Sequence, residues 1–378
     1  MNAPSRTFHA LVPHPTRPQI LLVRQNDGWS LPCYNSSQRG EIAMPALIQS
    51  IQAQYGLEVI MLRMLQLTGD FGTTGIEVVL LMENLSPGNG LPADACWSDA
   101  DGLAQISSSF VRKAVESWFQ EPSDIPPQRA PWAIKGWFAE TRRWVEDQVV
   151  AAGMEVSGPL RQRRVWSITA MLIQPTKQGA LFLKATNPMF GPEPEITRLL
   201  GEHFPANIPQ TVVIDPSQHL TLTRDFQGTL LAEDPDTQHW ETMIKTYASI
   251  QRQIEAKSEE LLTTGCWDRR IPVIAAQIDE LIADTEPMLI GSDRYGFTYE
   301  EYDELVGLAP RLKMVCDELV QIGIPPTLVH GDFHAMNVAM HGDTPIFFDW
   351  SDTSVGHPFI DLVSLFEEGD VLADTPDQ

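Results

Sequence analysis

The chain is poor in cysteine. It has only four cysteines among 378 residues, and they lie far apart. None belongs to a CxxC pair, which would indicate a zinc site or a redox motif. Four scattered thiols also do not form the dense disulfide framework of a small secreted domain. We therefore expect Cys33, Cys96, Cys266 and Cys316 to be reduced thiols in a cytoplasmic protein.

Positive charge is also scarce. The chain has 26 basic and 50 acidic residues, which gives a formal net charge of −24. Nucleic acids and anionic membranes are bound through basic patches. The composition therefore argues against either as a partner, and it fits a soluble protein.

Long apolar runs are missing. No stretch of 18 apolar residues occurs, and residues 1–24 lack the apolar core of a signal peptide. We therefore expect neither a transmembrane helix nor a signal peptide. The hydrophobic content of 43% suffices for ordinary cores, and the length leaves room for two or three domains.

Residues 1–120 are predicted to form a small α/β domain. Short apolar runs bounded by Pro and Gly are typical of strands, and apolar residues at helical spacing are typical of a packed helix. The pattern predicts strands at residues 9–12, 19–23 and 76–82, and a helix at residues 46–55 that ends at Gly56.

The remaining chain divides into a linker and two further regions. Residues 121–152 are predicted to be a Pro-rich linker followed by a helix over residues 132–152. Residues 153–228 are predicted to be rich in strands, and residues 229–378 to be mostly helical up to Gly323. Within the strand-rich region, the pattern predicts strands at 165–174 and 180–185, a helix at 193–202, and strands at 211–215 and 220–223.

The most informative motif lies near the end of the chain. Asp332 precedes Asn337 by five residues, and Asp349 follows Asn337 by twelve, after the apolar run 346–348. This spacing is typical of phosphoryl transfer, in which the first Asp accepts a proton from a hydroxyl while the Asn and the second Asp hold Mg²⁺. His-Gly-Asp stands where protein kinases have His-Arg-Asp, and Asp-Trp-Ser where they have Asp-Phe-Gly.

A lysine and a glutamate upstream fit the same chemistry. Lys184 ends an apolar strand, and kinases use such a lysine to hold nucleotide phosphates. A helical glutamate orients that lysine, and the register favours Glu193 over Glu195. A lone strand lysine is more often a solvated edge residue. The order of Lys184 ahead of the helix and the His-Gly-Asp segment favours the nucleotide-binding role.

Residues 130–366 resemble the aminoglycoside phosphotransferase family of small-molecule kinases. The resemblance rests on the His-Gly-Asp-x4-Asn block with its downstream Asp, and on several less specific blocks: Pro131-Trp132 with Gly136-Trp137, residues 165–168, residues 266–270 and residues 357–362. It implies an α+β chain with a two-lobed, protein-kinase-like fold, comprising a β-rich N-lobe at 153–228 and a helical C-lobe at 229–378.

The resemblance also implies roles for individual residues. Asp332 would be the catalytic base, and Asn337 and Asp349 would be the Mg²⁺ ligands. ATP would be held by Lys184, Glu193 and the loop around Ser167. His330 and Asp361 would brace the catalytic loop.

Two departures from the family pattern affect this interpretation. The loop at residues 166–168 has no GxGxxG, which argues against a protein kinase, although the family also lacks a strict glycine-rich loop there. Relatives usually continue with more helices beyond the position of Asp361, so we expect a shortened substrate lobe or an incomplete chain. Residues 367–378 are acidic and contain proline, and we expect them to fray.

The first domain resembles a degenerate Nudix domain. Residues 22–24 and the Trp-Ser-Leu-Pro segment 29–32 match the approach to the Nudix motif, Gly56 matches its last glycine and Glu41 its first glutamate. Its metal-binding glutamates, however, fall on Gln49-Ser50-Ile51-Gln52-Ala53-Gln54. Because Mg²⁺ prefers carboxylate oxygens, we expect a Nudix-like fold without hydrolase activity. An unrelated small α/β domain is the alternative.

Three functions follow from these patterns. The favoured one is an ATP- and Mg²⁺-dependent phosphotransferase acting on a hydroxyl of a small molecule, an aminoglycoside or another hydroxylated metabolite. The alternative is a catalytically silent pseudokinase that binds nucleotide or acts as a scaffold. A Nudix hydrolase is disfavoured by the missing glutamates. The pair Arg269-Arg270 fits either a phosphate site or an ion-pair cluster, and His334 either contacts substrate or packs in its loop.

Overall fold

The computed structural model describes residues 6–25, 28–36, 44–69, 75–87, 90–122, 124–291 and 296–365. The chain divides into two units. The first comprises residues 1–189 and 220–222, and the second comprises residues 190–219 and 223–378. The domain boundaries predicted at residues 120, 152 and 228 stay predictions.

The first unit contains both strands and helices. Its strands are β1 (Arg6–Leu11), β2 (Ile20–Gln25), β3 (Gly28–Ser30), β4 (Cys33–Ser36), β5 (Val59–Thr68), β6 (Ile76–Asn84), β7 (Ala95–Ser98), β8 (Arg161–Val165), β9 (Thr169–Thr176) and β10 (Gly179–Thr186). Its α-helices are α1 (Met44–Tyr55), α2 (Ser109–Phe119) and α3 (Trp137–Ala151).

A mixed four-stranded sheet forms the centre of this unit. Its strand order is β4-β1-β6-β5, with β1 parallel to β6 and the outer strands antiparallel. Strand β6 is buried along almost its whole length, as expected for a central strand that is apolar on both faces. Helix α1 packs on β4 and β5, and it ends where Gly56 adopts a positive φ of 66°. The predicted helix at 46–55 is confirmed.

Two other elements differ from the predictions. The helix predicted over 132–152 begins only at Trp137, because residues 131–133 form a 3₁₀ turn and Gly136 has a φ of 94°. The single strand predicted over 165–174 is two strands. Strand β8 ends at Val165, and a loop closed by a hydrogen bond from Trp166 N to Thr169 O (2.8 Å) leads into β9.

A glutamine side chain completes the outer edge of β5. Gln162 on β8 accepts a hydrogen bond from the Met61 backbone N–H (2.8 Å) and donates one to the Met61 carbonyl (2.9 Å). Next to Met61, β5 shifts its register with β6, and Gln162 itself is buried. The glutamine amide thus satisfies a buried peptide group on an edge strand, which would otherwise lack a partner.

The second unit follows with helices and short strands. Its α-helices are α4 (Glu193–His203), α5 (Thr237–Ile254), α6 (Ser258–Thr263), α7 (Ile271–Ala283), α8 (Tyr299–Ile322) and α9 (Asp361–Leu365). Its strands are β11 (Thr211–Asp215), β12 (Leu220–Arg224, of which 220–222 belong to the first unit), β13 (Thr229–Leu230), β14 (Trp267–Arg269), β15 (Thr327–Val329), β16 (Val338–His341), β17 (Thr344–Phe347) and β18 (Ser354–Gly356).

Two small sheets and helix α5 form the core of the second unit. One sheet has the order β13-β16-β17 and the other β14-β18-β15. Trp240, Met243 and Tyr247 on α5 are buried in the same cluster as Leu328 and Phe347 of these sheets. Both units mix helices and strands, which confirms the predicted α+β class.

The sequence also led to expectations about the cysteines, membrane-spanning helices and the end of the chain. All four cysteines are free thiols. Within the described part of the chain, no helix is long and apolar enough to cross a bilayer. Glu41 and the predicted frayed end at 367–378 lie outside the described residues.

Replacing Gln162 tests the contact at the edge of β5. We expect Gln162→Leu to leave the Met61 peptide group unpaired and to lower the free energy of unfolding by about 1–3 kcal/mol. The measurement is a urea titration followed by circular dichroism. Gln54→Leu, at an exposed position on α1, is the control. Equal unfolding midpoints for the two variants would contradict the assigned role.

Candidate functional site

The two small sheets of the second unit bring the predicted motif residues together. Strand β15 leads into the loop at residues 330–337, and β16 and β17 return the chain to Asp349. The backbone N–H of Phe348, just before Asp349, donates to the carbonyl of Asn337 (3.2 Å). The Asn and the second Asp of the motif therefore lie on adjacent segments of the chain.

A buried carboxylate fixes the start of the loop. Asp361, at the beginning of α9, is almost fully buried. One of its oxygens, Oδ2, accepts the backbone N–H of His330 (3.0 Å), and Oδ1 accepts that of Gly331 (2.9 Å). Two consecutive peptide groups thus bind one carboxylate, which sets the direction in which the following Asp332 leaves the strand.

Tyr247 on α5 completes this anchor. Its hydroxyl donates to Asp361 Oδ2 (2.5 Å) and lies 3.0 Å from the His330 backbone nitrogen. Its ring stacks on Phe333 with centroids 4.1 Å apart. Burial, followed by the charge of Asp361, raises the pKa of Tyr247 well above its usual value, so the phenol keeps its proton and remains a donor.

The His330 side chain joins the loop to the strand that carries Asp349. Its ring is fully buried, and Nε2 lies 3.0 Å from the Phe348 carbonyl, to which it donates. The ring also packs on Trp350, with centroids 4.5 Å apart. Burial lowers the pKa of His330, so the imidazole is neutral and its proton is assigned to Nε2.

Gly331 allows the loop to approach the segment after Asp349. Its φ is 86°, and a Cβ at this position would lie 2.3 Å from the carbonyl oxygen of Asp352. No side chain fits at that distance, and only glycine adopts this φ without cost. This explains why glycine occupies the middle of the His-Gly-Asp triplet.

The predicted base and the predicted amide ligand are in direct contact. Asn337 Nδ2 donates to the carbonyl of Asp332 (2.9 Å) and to its Oδ2 (3.0 Å). His334 Nε2 lies 3.4 Å from the same Oδ2. The hydrogen bond with His334 is the largest of the effects that lower the pKa of Asp332, which therefore carries a negative charge. These contacts orient the carboxylate and direct the amide oxygen of Asn337 away from it.

Two further carboxylates lie on the facing segment. Asp349 has a φ of 67°, and its Oδ1 accepts a hydrogen bond from the Ser351 hydroxyl (2.9 Å). Asp352 follows in the same 3₁₀ turn, and burial together with the charges of Asp332 and Asp349 raises its pKa. The charges of Asp332 and Asp349 thus act on Asp352, and a bound cation would offset them.

The donor set fits Mg²⁺. This ion prefers octahedral oxygen ligands, and proteins bind it through one or two side chains with phosphate and water oxygens completing the shell. Asp349 and the amide oxygen of Asn337 supply such donors. Within the described residues, no group of three or more His, Cys, Asp or Glu side chains forms a metal cluster.

The predicted nucleotide contacts fall in different units. Lys184 on β10 and Ser167, in the loop between β8 and β9, belong to the first unit. That loop is fastened to the segment after β10, because Asn187 Nδ2 donates to the Ser167 carbonyl (3.2 Å) and Asn187 N to the Ile168 carbonyl (2.9 Å). Glu193 belongs to the second unit, where it starts α4 and is almost fully buried.

The sequence left the roles of Arg269 and Arg270 open, and the two residues differ in their contacts. Arg270 forms ion pairs with Asp268 (2.6 Å) and Glu259 (3.0 Å), which supports the structural interpretation. Arg269 lies over the ring of Trp267, and its charge lowers the pKa of Asp352. Arg269 is therefore the arginine of the pair that acts on the carboxylate cluster.

Two residues of the site escaped the sequence analysis. Tyr247 is one of several large apolar residues on the buried face of α5, and its spacing reveals burial but not the partner of its hydroxyl. Asp352 follows Asp349 by three residues, and this short Asp-x-x-Asp spacing was a usable signal.

Comparison with known proteins gives a match for the second unit. The sequence model of the phosphotransferase enzyme family matches residues 196–376, just under half of the chain. This range contains Asp332, Asn337, Asp349, His330 and Asp361. The match supports phosphotransferase chemistry for this part of the chain. No curated protein matches the sequence.

Several solved structures are similar to parts of the chain. A macrolide 2'-phosphotransferase type I is 15% identical, with 60% of this chain and 76% of that chain covered and a TM-score of 0.41. The choline kinase LicA from Streptococcus pneumoniae is 12% identical, with coverage of 60% and 74% and a TM-score of 0.41. A Nudix hydrolase from Nitrosomonas europaea is 10% identical, with coverage of 31% and 71% and a TM-score of 0.26.

Two glycines with positive φ provide a test of the loop geometry. Gly331→Ala combines an unfavourable φ with a backbone clash, whereas Gly342→Ala has a φ of 59° and open space around the new methyl group. We expect Gly342→Ala to cost about 1 kcal/mol of unfolding free energy and Gly331→Ala about 1–3 kcal/mol more. Urea unfolding measures both. Equal losses would show that the close approach to Asp352 is not a constraint.

Proposed function

We propose that the chain is an ATP- and Mg²⁺-dependent phosphotransferase that transfers the γ-phosphoryl group to a hydroxyl of a small molecule. One observation carries the proposal: Asp332 and Asn337 are in direct contact, and Asp349 lies on the segment that is hydrogen-bonded to Asn337. Kinases perform phosphoryl transfer with such a set, an Asp that faces the acceptor hydroxyl and an Asn and a second Asp that hold the metal ion. The family match over residues 196–376 supports the same chemistry.

Asp332 is proposed to receive the proton of the acceptor hydroxyl. Its Oδ2 is engaged by Asn337 and His334, which leaves Oδ1 to face an incoming hydroxyl group. The lowered pKa of Asp332 makes it a weak base, but the loose transition state of phosphoryl transfer demands positioning more than strong base catalysis. The carboxylate thus orients the hydroxyl in line with the phosphorus and receives its proton as the transfer proceeds.

Asn337 and Asp349 are proposed to hold Mg²⁺. When bound, the ion neutralises charge on the phosphate oxygens during transfer. Asp349 is fixed by the Ser351 hydroxyl, and Asn337 by its two bonds to Asp332. Lys184, Glu193 and the Ser167 loop are proposed as the nucleotide contacts. His330 and Asp361 are proposed to brace the loop through the backbone contacts described above.

The proposed acceptor is a small hydroxylated molecule. The net charge of −24 and the three clustered carboxylates make nucleic acid an unsuitable partner. The free thiols support a reducing compartment, and we propose that the protein acts in the cytoplasm. The acceptor is to be found by screening hydroxylated metabolites and aminoglycosides for ADP release.

Asp332→Asn tests the proposal. With an acceptor found in that screen, we expect the variant to lose about 10²–10⁴-fold in turnover, because it can no longer accept the proton. Its ATP affinity should change by less than about threefold, because Asp332 contacts the acceptor rather than the nucleotide. The measurements are coupled ADP release and calorimetry. Asp343→Asn, at a fully exposed carboxylate in the same unit, is the control.

Two outcomes would contradict the proposal. Asp332→Asn with more than about a tenth of wild-type turnover would remove Asp332 as the base. The other outcome is a wild-type protein that binds ATP but releases no ADP, either with any acceptor in the screen or with water alone. That result would support the catalytically silent pseudokinase.

A further inference from the structure

A cavity lies in the first unit. It has a volume of about 560 Å³ and is lined by the turn after β1, parts of β5 and β6, and the segments on either side of Arg129. This volume is in the range of small-molecule sites. No described residue of α1 lines it, so it is separate from the helix that matches the Nudix motif.

The wall of the cavity is largely apolar. Leu62, Leu81 and Met82 form part of it and are buried in the unit, and Trp118 adds a half-buried aromatic ring. Such a wall excludes water and accommodates the hydrocarbon or aromatic body of a ligand.

A cluster of three charged side chains lies in the same cavity. Glu121 forms an ion pair with Arg63 through Oε2 and with Arg129 through Oε1 (2.8 Å). The three side chains are each about 20–30% exposed. One carboxylate neutralises only one of the two guanidinium groups. The Nε of Arg63 is also buried without a hydrogen-bond partner among the described residues.

The remaining charges of the cavity do not cancel this excess. Arg17 donates to His14, and Lys135 donates to the carbonyl of Pro15 (2.8 Å), while the charge of Lys135 opposes the rise that burial causes in the pKa of Glu83. Glu83 is already occupied, since both of its oxygens accept the backbone N–H of Gly136 (3.0 and 3.1 Å). Counting Asp124, the lining has four basic and three acidic side chains, a surplus of one positive charge in a protein of net charge −24.

We propose that this cavity binds a small organic anion. Its apolar body would lie against Leu62, Leu81 and Trp118, and its carboxylate or phosphate would contact Arg63 and Arg129. Guanidinium groups bind carboxylates and phosphates alike through paired hydrogen bonds. The experiment below therefore distinguishes a carboxylate ligand from a phosphate ligand. This site is independent of the phosphoryl-transfer chemistry of the second unit.

Calorimetry on the full chain tests the site. The probes are phenyl phosphate, benzoate, inorganic phosphate and benzyl alcohol, at low and constant ionic strength because salt weakens such contacts. We expect phenyl phosphate or benzoate to bind more tightly than inorganic phosphate or benzyl alcohol, since each of the latter lacks one half of the recognised chemistry. Comparing phenyl phosphate with benzoate identifies the preferred oxyanion.

Two substitutions should change the affinity in opposite directions. Arg129→Gln leaves the Arg63–Glu121 pair neutral and should weaken binding of the better probe about tenfold, the size of one charge-assisted hydrogen bond. Glu121→Gln leaves both arginines uncompensated and should strengthen it by a similar factor. Arg161→Gln, at an exposed position of the same unit, is the matched control and should have no effect.

Unfolding cannot produce the higher probe affinity that is expected for Glu121→Gln. This variant therefore keeps the test decisive even if Arg129→Gln destabilises the protein. Binding of no anionic probe, or equal affinities of wild type, Arg129→Gln and Glu121→Gln, would overturn the proposal. Equal binding of benzyl alcohol and benzoate would also overturn it, because the arginines would then have no role in recognition.

Discussion

The arrangement of the second unit depends on the contact between one buried carboxylate and two consecutive backbone N–H groups. Asp361 binds the peptide groups of His330 and Gly331, and Tyr247 donates its hydroxyl to the same carboxylate. A buried charge is tolerated only when hydrogen bonds replace the lost water. These bonds therefore stabilise Asp361 and fix the loop at the same time, which makes Asp332 leave the strand in one defined direction.

The second constraint is the close approach of two chain segments. The loop after β15 lies so near the turn after Asp349 that only glycine fits at position 331. His330 joins the same segments through the Phe348 carbonyl. The result concentrates the charges of Asp332, Asp349 and Asp352 in one place, and burial raises the pKa of Asp352. A divalent cation would relieve this repulsion, in line with the proposed Mg²⁺ site.

Much of the fold and the site followed from short-range patterns. Asp332 and Asn337 lie within one loop, so their spacing in the sequence already indicates that they are close. Helix α1 has an apolar face and a glycine at its end, and both are visible in the sequence. Patterns failed where local backbone geometry decided the outcome. The positive φ of Gly136 delays the start of α3, and a loop at Trp166 divides the strand predicted over 165–174.

The remaining contacts depend on tertiary structure. Tyr247 meets Asp361 across 114 residues of sequence, and the cluster of Arg63, Glu121 and Arg129 assembles from separate segments. Neither residue type nor spacing along the chain identifies such partners. The departures from the sequence patterns are thus local backbone turns and long-range polar contacts, while the order of strands and helices is largely readable.

The dependence of ATP binding on Mg²⁺ and Asp349 tests the account most directly. ATP binding is measured by calorimetry once in the presence of Mg²⁺ and once in the presence of EDTA. The proteins compared are wild type, Asp349→Ala and, as a control at an exposed carboxylate, Asp343→Ala. We expect Mg²⁺ to strengthen ATP binding to wild type and to the control about tenfold or more, and to have little effect on Asp349→Ala, which lacks the carboxylate ligand. An unchanged Mg²⁺ dependence in Asp349→Ala would contradict the assignment of this segment as the metal site.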